Sequence, residues 1–473
     1  MKDYENYDAL GLAELVRNRD VTPLELLDAA VSRAEAAQAR VNCFSALYPD
    51  VARRQIADGL GKGPFAGVPF VLKDLGATLE GQKLTQGSRL YKDFVATEDA
   101  TLTRRYKAAG FSIFGHTTTP EFGSTTTTES VLFGETRNPW NTDRIAGGSS
   151  GGAAAAVASG VVPIAHASDG GGSIRIPAAC CGLFGLKPSR GRMPMGPSRT
   201  EGWGGFSTAH AVSRSVRDSA ALLDATHGME QGSRYVAPSP ERPYLDEVAR
   251  DPGKLRVALW SKAANGTEPD ADARRGLDAT VKLLRSLGHE VEEAAPEIDG
   301  PAVAAVLGRM VGAHLAASVE LAGEQRGRPV TEDELEPINW SMIRNARETT
   351  GIQMAKDEVT LQLAAIAYAK LMSRFDVTLS PTITRKPEVL KVLSLSPPDT
   401  GAFVRAINSF PAFCAFYNQT GAPAMSVPLH WTDDGLPLGM MFGAAYGNES
   451  LLFRLAGQLE KAQPWFDKRP PKA

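Results

Sequence analysis

The stretch that decides the fold runs from residue 147 to residue 177 and reads GGSSGGAAAAVASGVVPIAHASDGGGSIRIP. Its first 26 residues contain eight glycines, seven of them in two clusters separated by an alanine-rich segment and an apolar one. The alanine-rich segment predicts a helix over residues 153–159, because alanine has the highest helix propensity. The apolar segment VVPIAHAS predicts a strand. The glycine clusters therefore lie at the ends of a helix and a strand, where functional loops collect.

Helical and apolar segments alternate along the rest of the chain. Thr22 and Glu25 form a capping-box pattern around Pro23, which predicts that an amphipathic helix begins there. GVPFVL (67–72) predicts a buried strand that runs into a loop at Lys73. Further strands are predicted for 41–48, 111–118, 256–261, 289–294 and 438–447, with helices over 102–109 and 270–287 and after Asn448. This alternation predicts an α/β protein in which helices cover a β-sheet, with a strand order that the sequence does not give.

The domain organisation follows from length and pattern. A length of 473 residues by itself suggests about three domains of about 150 residues each, but α/β proteins of this size also form one domain. We expect a single domain over residues 1–473. Residues 301–375 have an almost wholly helical pattern, and we expect them to form a cap or lid on that domain.

Charge and hydropathy exclude several classes of partner. The net charge of −3, from 51 basic and 54 acidic residues, gives no broad basic field for nucleic acid or anionic lipid. The first residues, MKDYENYDALG, lack the pattern of a secretory signal. The apolar run over 153–167 is too short and too interrupted to span a bilayer. We expect a soluble cytoplasmic protein without nucleic-acid or membrane partners.

The cysteines and a short basic segment are the remaining features of the composition. Four scattered cysteines without a CxxC pair predict neither a disulfide framework nor a zinc site, and Cys180 and Cys181 lie in an apolar run that predicts buried thiols. Lys187, Arg190 and Arg192 lie among glycine and proline, and we expect them to form a solvated loop.

The first glycine cluster admits one nucleophile motif. Neither GxxxxGK[ST] nor GxGxxG fits this region, which argues against nucleotide binding. GGSSG matches GxSxG, the nucleophile elbow of α/β-hydrolases, with Ser149 as its serine. An elbow follows a strand, whereas the preceding NPWNTDRIA has the pattern of a loop. It also requires a later histidine, for which His314 and His430 are the candidates. An esterase using Ser149 stays as an alternative.

The second glycine cluster suits acyl transfer better. Gly170, Gly171 and Gly172 allow a tight backbone turn whose N–H groups converge and can stabilise an oxyanion. Ser173 follows directly, at the start of a helical turn, where the helix dipole favours negative charge. The alternative is a tight turn whose serine only caps a helix. A serine nucleophile requires a base, and Lys73 can serve if burial lowers its pKa.

Together these segments resemble the amidase signature family, the Ser-cisSer-Lys hydrolases. The resemblance rests on GGSSGGAAAAVASG and SDGGGSIRIPAA, on the 24-residue separation of Ser149 and Ser173, and on GVPFVLKD upstream. It extends through NPWN (138–141) to GAPAMSVPL (421–429) and LPLGMMFGAAYG, so it covers most of the chain. Within the family, the chain is most similar to the enzymes that cleave cyclic nylon-type dimers, anilides and urethanes.

The resemblance implies a fold and a set of roles. The fold would be a central mixed β-sheet covered by helices on both faces. Ser173 would be the nucleophile, Ser149 the bridging serine after a cis peptide bond, and Lys73 the base. The remaining implied residues are the oxyanion donors Gly170, Gly171, Gly172 and Ser173, and the substrate contacts Gly123 and Thr125. The chain departs from the common family pattern at Ser168, where threonine is frequent, and at Gly170, where an apolar residue is frequent.

The expected function is hydrolysis of small or oligomeric amides, anilides or carbamates, without metal or organic cofactor. Two other functions stay open: a subunit of a glutamine-dependent amidotransferase, which works only with partner chains, and a binding protein on the same scaffold. The intact set of Lys73, Ser149 and Ser173 counts against the binding protein. The oligomeric state is also open, with a homodimer as one outcome.

Overall fold

The computed structural model describes residue 1 and residues 3–471. The helices of these residues are α1 (Ala9–Arg17), α2 (Pro23–Val41), α3 (Pro49–Asp58), α4 (Thr101–Ala108), α5 (Gly151–Ala158), α6 (Arg175–Cys181), α7 (Val216–Thr226), α8 (Tyr244–Val248), α9 (Ala271–Ser286), α10 (Gly300–Arg326), α11 (Pro337–Ala346), α12 (Gly351–Met372), α13 (Thr400–Ser409), α14 (Ala415–Thr420) and α15 (Glu449–Ala462). The predicted capping box is present at the start of α2, where Thr22 and Glu25 bond each other's backbone N–H.

The described residues form fifteen strands, seven of which lie in segments predicted as strands. They are β1 (Phe44–Leu47), β2 (Pro69–Lys73), β3 (Ser112–Thr117), β4 (Glu129–Ser130), β5 (Gly134–Glu135), β6 (Arg137–Asn138), β7 (Asn141–Ile145), β8 (Ile164–Asp169), β9 (Phe184–Lys187), β10 (Thr208–Ser213), β11 (Arg256–Leu259), β12 (Glu290–Glu293), β13 (Val377–Pro381), β14 (Ala424–Trp431) and β15 (Pro437–Ala444). β6 and β7 pair as a hairpin. The prediction that NPWNTDRIA is a loop is therefore wrong.

The main sheet has eight strands in the order β12-β11-β13-β15-β14-β9-β10-β8. β11 is parallel to both β12 and β13, whereas the other pairs are antiparallel, so the sheet is mixed. A second sheet has three strands in the order β1-β3-β2. Its strand β2 lies beside β8, at the edge of the main sheet. The carboxyl ends of β2 and β8 carry Lys73 and Asp169, so the two sheets bring the predicted site together.

Helices cover both faces of the main sheet. Consecutive residues of a strand point to opposite faces, so Gly439 and Met440 in β15 mark the two sides. A β-carbon added to Gly439 would lie 2.9 Å from Ala179 Cα in α6. The Met440 side chain instead reaches Gly276 in α9. The predicted class, a mixed sheet covered on both faces, is confirmed.

The segment predicted as helical over 301–375 contains α10, α11 and α12. Its own apolar cluster includes Val311, Leu315 and Val319 of α10 and Ile343 of α11. Phe122, next to the predicted site, belongs to the same cluster. The helical segment therefore packs directly on the region around the site, and its role as a lid stays a prediction.

Helix α10 has a property that the sequence analysis missed. Among the described residues it is the one helix long and apolar enough, by length and composition alone, to cross a membrane. The sequence analysis considered only the apolar run over 153–167 as a membrane span, whereas α10 was the segment to consider. In the structure α10 packs against α11 and α12.

Candidate active site

Lys73 ends β2 with its side chain fully buried. Its Nζ donates hydrogen bonds to Ser149 Oγ at 2.7 Å and to Ser168 Oγ at 3.1 Å. Its backbone N–H donates to Nδ1 of His166, also at 3.1 Å. Two of the three predicted catalytic side chains are thus in direct contact, and β8 supplies the residues that fix the lysine.

The protonation of Lys73 is set by its surroundings. Burial lowers its pKa to about 7, although the negative charge of Asp169 acts in the opposite direction. Among the described residues, no carboxylate forms a salt bridge with this lysine. A large share of the molecules therefore carries a neutral amine at neutral pH, and a neutral amine can accept a proton from the Ser149 hydroxyl.

The loop before α5 holds Ser149 in place. The Gly148–Ser149 peptide bond is cis, as the family resemblance implied. A β-carbon at Gly148 would lie 2.1 Å from the Thr127 carbonyl oxygen, so only glycine fits there. The Thr119 hydroxyl donates to the Ser149 carbonyl at 3.0 Å, and the Thr128 hydroxyl donates to the carbonyl of Gly147. Packing and hydrogen bonds therefore orient the Ser149 hydroxyl toward Lys73.

Ser173 lies between the glycine cluster and α6, and it is 8% exposed. Gly147 packs on Pro177 of α6, so the loop that carries Ser149 contacts the helix that follows Ser173. The described residues include no hydrogen-bond partner for the Ser173 hydroxyl, and Ser149 is therefore not bonded to it. Catalytic hydrogen bonds are often long in a free enzyme and shorten when substrate binds.

The predicted oxyanion donors differ in their availability. The Gly172 N–H donates to Asp169 Oδ1 at 2.7 Å. This bond corrects the prediction for Gly172, since its hydrogen points to a carboxylate and not to an oxyanion. The N–H groups of Gly170, Gly171 and Ser173 have no protein acceptor among residues 1 and 3–471. Three of the four predicted donors are therefore free to hold an oxyanion.

A buried ion pair fixes the glycine cluster. Asp169 and Arg175 are both fully buried, and two guanidinium nitrogens donate to the carboxylate at 3.0 Å. Asn418 donates to Asp169 Oδ1 at 2.8 Å and accepts from Arg175. Burial by itself would raise the Asp169 pKa, but the Arg175 charge and these hydrogen bonds lower it below its usual value. The carboxylate thus holds the turn that leads to Ser173.

Replacing Asp169 by asparagine is expected to lower the free energy of unfolding by about 3–5 kcal/mol. The reason is that the substitution leaves the Arg175 charge buried without its partner. The measurement is urea unfolding followed by tryptophan fluorescence. Asp28→Asn is the matched control, because Asp28 pairs with Arg53 at the surface, and we expect it to change stability little. Equal stability of the two variants would contradict this account of the ion pair.

The predicted substrate contacts have different positions. A β-carbon at Gly123 would lie 3.0 Å from Ser149 Oγ, so this glycine borders the site, and its contact with substrate stays a prediction. The Thr125 hydroxyl donates to the Leu393 carbonyl at 2.7 Å. Its hydroxyl hydrogen is therefore taken, and its contact with substrate stays a prediction.

The nucleophile-elbow alternative lacks its base. A strand does precede Ser149, since β7 ends at Ile145, so one objection to the elbow disappears. However, the Ser149 hydroxyl is bonded to Lys73, and neither His314 nor His430 hydrogen-bonds it in the described structure. The side chain that can serve Ser149 as a base is therefore Lys73 and not a histidine.

The sequence analysis assigned no role to three residues that the structure places in the site. Ser168 binds the lysine, Asp169 holds the glycine turn, and His166 accepts from the Lys73 backbone. The family pattern drew attention to Ser168 only as a departure. Polar residues at alternate positions in an otherwise apolar strand were a signal for His166 and Ser168, whereas Asp169 directly follows Ser168 and lies outside that alternation.

Comparisons with known proteins agree with this geometry. The family model described as Amidase matches residues 25–453. The chain therefore belongs to the amidase signature family, and it is a hydrolase that acts on amide bonds. The 6-aminohexanoate-cyclic-dimer hydrolase of Paenarthrobacter ureafaciens is 39% identical over 98% of this chain and 96% of that relative.

Solved structures give the same result. A structure of 6-aminohexanoate cyclic dimer hydrolase complexed with substrate has a TM-score of 0.93 at 36% identity, over 99% of both chains. A bacterial aryl acylamidase of the amidase signature family has a TM-score of 0.87 at 25% identity, over 98% of both chains. The predicted similarity to cyclic-dimer hydrolases and aryl acylamidases is confirmed.

Proposed function

We propose that this protein hydrolyses small or oligomeric amides, anilides or carbamates through an acyl-enzyme formed on Ser173, with Ser149 and Lys73 as a proton relay. The observation that carries the proposal is the buried Lys73, whose pKa is about 7 and whose Nζ lies 2.7 Å from Ser149 Oγ. A lysine in that state can act as a base toward a hydroxyl, whereas a solvated lysine is protonated.

The first half of the reaction forms the acyl-enzyme. Neutral Lys73 takes the proton of Ser149, and Ser149 takes the proton of Ser173. Ser173 Oγ then attacks the carbonyl carbon, and the free N–H groups of Gly170, Gly171 and Ser173 hold the oxyanion. The C–N bond breaks as the Ser149 hydroxyl gives a proton to the leaving nitrogen, and Lys73 returns its proton to Ser149.

The second half releases the acid. Water takes the place of the amine and loses a proton to the same relay. It attacks the acyl carbon, and Ser173 leaves with the returned proton. In a carbamate the same cleavage of the C–N bond leaves an alkoxycarbonyl group on Ser173. Water releases it as a carbonic acid monoester, which loses carbon dioxide to give the alcohol. The proposed steps use side chains, backbone N–H groups and water.

The second candidate, an amidotransferase subunit, makes a different prediction. Such a subunit requires partner chains, so the purified chain alone would not hydrolyse simple amides. The 39% identity to a 6-aminohexanoate-cyclic-dimer hydrolase over almost the whole chain favours amide hydrolysis.

The test is a hydrolysis assay on the purified chain with anilides, linear and cyclic nylon-type amides, and aryl carbamates. We expect amine release from at least one class, and loss of that release in Ser173→Ala. No turnover of any class by a folded chain, together with glutamine-dependent turnover after a partner is added, would contradict the proposal in favour of the amidotransferase.

A further inference from the structure

The turn at residues 203–205 brings an aromatic side chain onto the oxyanion glycines. A β-carbon at Gly170 would lie 2.7 Å from two ring carbons of Trp203. The nearest side-chain atom to Gly171 is a methyl group of Leu307 in α10, at 3.9 Å from the corresponding position. Trp203 and Leu307 are both half-buried, so each keeps some surface in contact with solvent. These two side chains form an apolar wall directly beside two of the free oxyanion donors.

Hydrogen bonds to backbone carbonyls fix the turn that carries Trp203. Arg190 donates to the Gly205 carbonyl at 2.7 Å, and Asn418 donates to the Phe206 carbonyl at 3.1 Å. Asn418 is also bonded to Asp169, which fixes the glycine cluster. Asn418 therefore hydrogen-bonds both the turn that carries Trp203 and the turn before Ser173. These bonds fix the position of Trp203 relative to Ser173.

From this geometry we infer that Trp203 is a specificity-determining residue of the proposed amide hydrolysis. The wall selects substrates in which an apolar chain adjoins the scissile bond. The indole packs so closely on Gly170 that a β-carbon there would lie 2.7 Å from the ring, so the ring is fixed beside the oxyanion donors. A charged group against Trp203 and Leu307 would lose its hydration without gaining a partner. A methylene chain, by contrast, exchanges water for the indole face.

The inference rests on the proposed function and predicts a chain-length dependence. Each buried methylene contributes about 0.8 kcal/mol, so kcat/KM should rise about fourfold for each methylene that reaches the wall. The probes are two series: 4-nitroanilides with acyl groups from acetyl to hexanoyl, and hexanamides of n-alkylamines from propyl to hexyl. The expected result in wild type is a rise along at least one series, seen mainly in KM.

The variants are Trp203→Ala, which removes the wall, and Trp203→Phe, which keeps a flat ring. In Trp203→Ala the rise should fall below twofold per methylene, whereas Trp203→Phe should keep most of it. Trp140→Leu is the matched control, because this half-buried tryptophan packs on Trp431 outside the site. It should leave the dependence unchanged, and circular dichroism checks that each variant is folded.

A double-mutant cycle tests the contact itself. Gly170→Ala puts a methyl group into the Trp203 ring, and we expect at least a tenfold loss of kcat/KM. The loss should be smaller when Trp203 is also alanine, because the ring is no longer there. An unchanged chain-length dependence in Trp203→Ala, or equal losses from Gly170→Ala in both backgrounds, would overturn the inference. Absence of any turnover by wild type would instead overturn the proposed function.

Discussion

Replacement of Ser173 by alanine is expected to lower kcat for amide hydrolysis by at least about 10⁴-fold, because no acyl-enzyme can form. Loss of the nucleophile in a serine hydrolase has an effect of this order, since the remaining groups act only around it. The measurement is amine release under single-turnover conditions. KM should change little, because Ser173 Oγ makes no hydrogen bond that positions neighbouring groups in the described structure.

The controls separate chemistry from folding. The thermal midpoint of Ser173→Ala should stay within a few degrees of wild type, because the serine is a small side chain whose hydroxyl has no hydrogen-bond partner among the described residues. Ser159→Ala, at the far end of α5, is a serine-to-alanine control that should keep full activity. Hydrolysis by Ser173→Ala at more than a tenth of the wild-type rate would contradict the assignment of the nucleophile.

Replacement of Lys73 by alanine is expected to lower kcat/KM by about 10²–10⁴-fold at neutral pH, the range of a positioned general base. Burial lowers the Lys73 pKa to about 7, and the free amine is the active form. Wild-type kcat/KM should therefore rise tenfold per pH unit below about 7 and level off above it. The measurement is the pH profile of kcat/KM for wild type and variant.

The variant profile gives the sharper result. Without the lysine, hydroxide must replace the base, so the loss should be largest at and below pH 7 and should shrink above it. Lys187→Met is the matched control. Lys187 is also a buried lysine whose pKa burial lowers to about 7, but its Nζ donates to the Pro188 carbonyl, away from Ser149. An inflection near pH 7 that survives in Lys73→Ala and disappears in Lys187→Met would contradict the relay.

The sequence predicted the fold class for a physical reason, and the catalytic roles of Lys73, Ser149 and Ser173 stay predictions. Alternation of helical and apolar segments is a local property, and it gave strands that the structure places within a few residues. Ser149 and Ser173 belong to glycine clusters whose tight turns require that composition. Lys73 ends an apolar strand, and its burial explains why its pKa differs from that of a solvated lysine.

What the sequence missed depends on residues far apart in the chain. Lys187, Arg190 and Arg192 were expected to be solvated, but Lys187 is buried at the end of β9, an interior strand of the main sheet. Arg192 is buried in an ion pair with Glu449, a residue 257 positions away. Spacing along the chain carries no signal for such a pair, so a basic cluster between glycine and proline was misinterpreted as surface.

The same limit applies within the site. That the Gly172 N–H is taken by Asp169 depends on the conformation of the turn, which composition does not specify. The bond between Lys73 and Ser168 joins two strands that are 95 residues apart. Trp203 approaches Gly170 because β10 pairs with β8. The pattern of helical and apolar segments did not give the order of the strands, so this contact could not be predicted.

The most direct test of the serine–serine–lysine account is to label the protein with a fluorophosphonate and to locate the adduct by peptide mass spectrometry. The account predicts an adduct on Ser173 that forms faster as the pH rises through about 7 and is lost in Lys73→Ala. An adduct on Ser149, formed equally well without Lys73, would contradict it and would restore the nucleophile elbow.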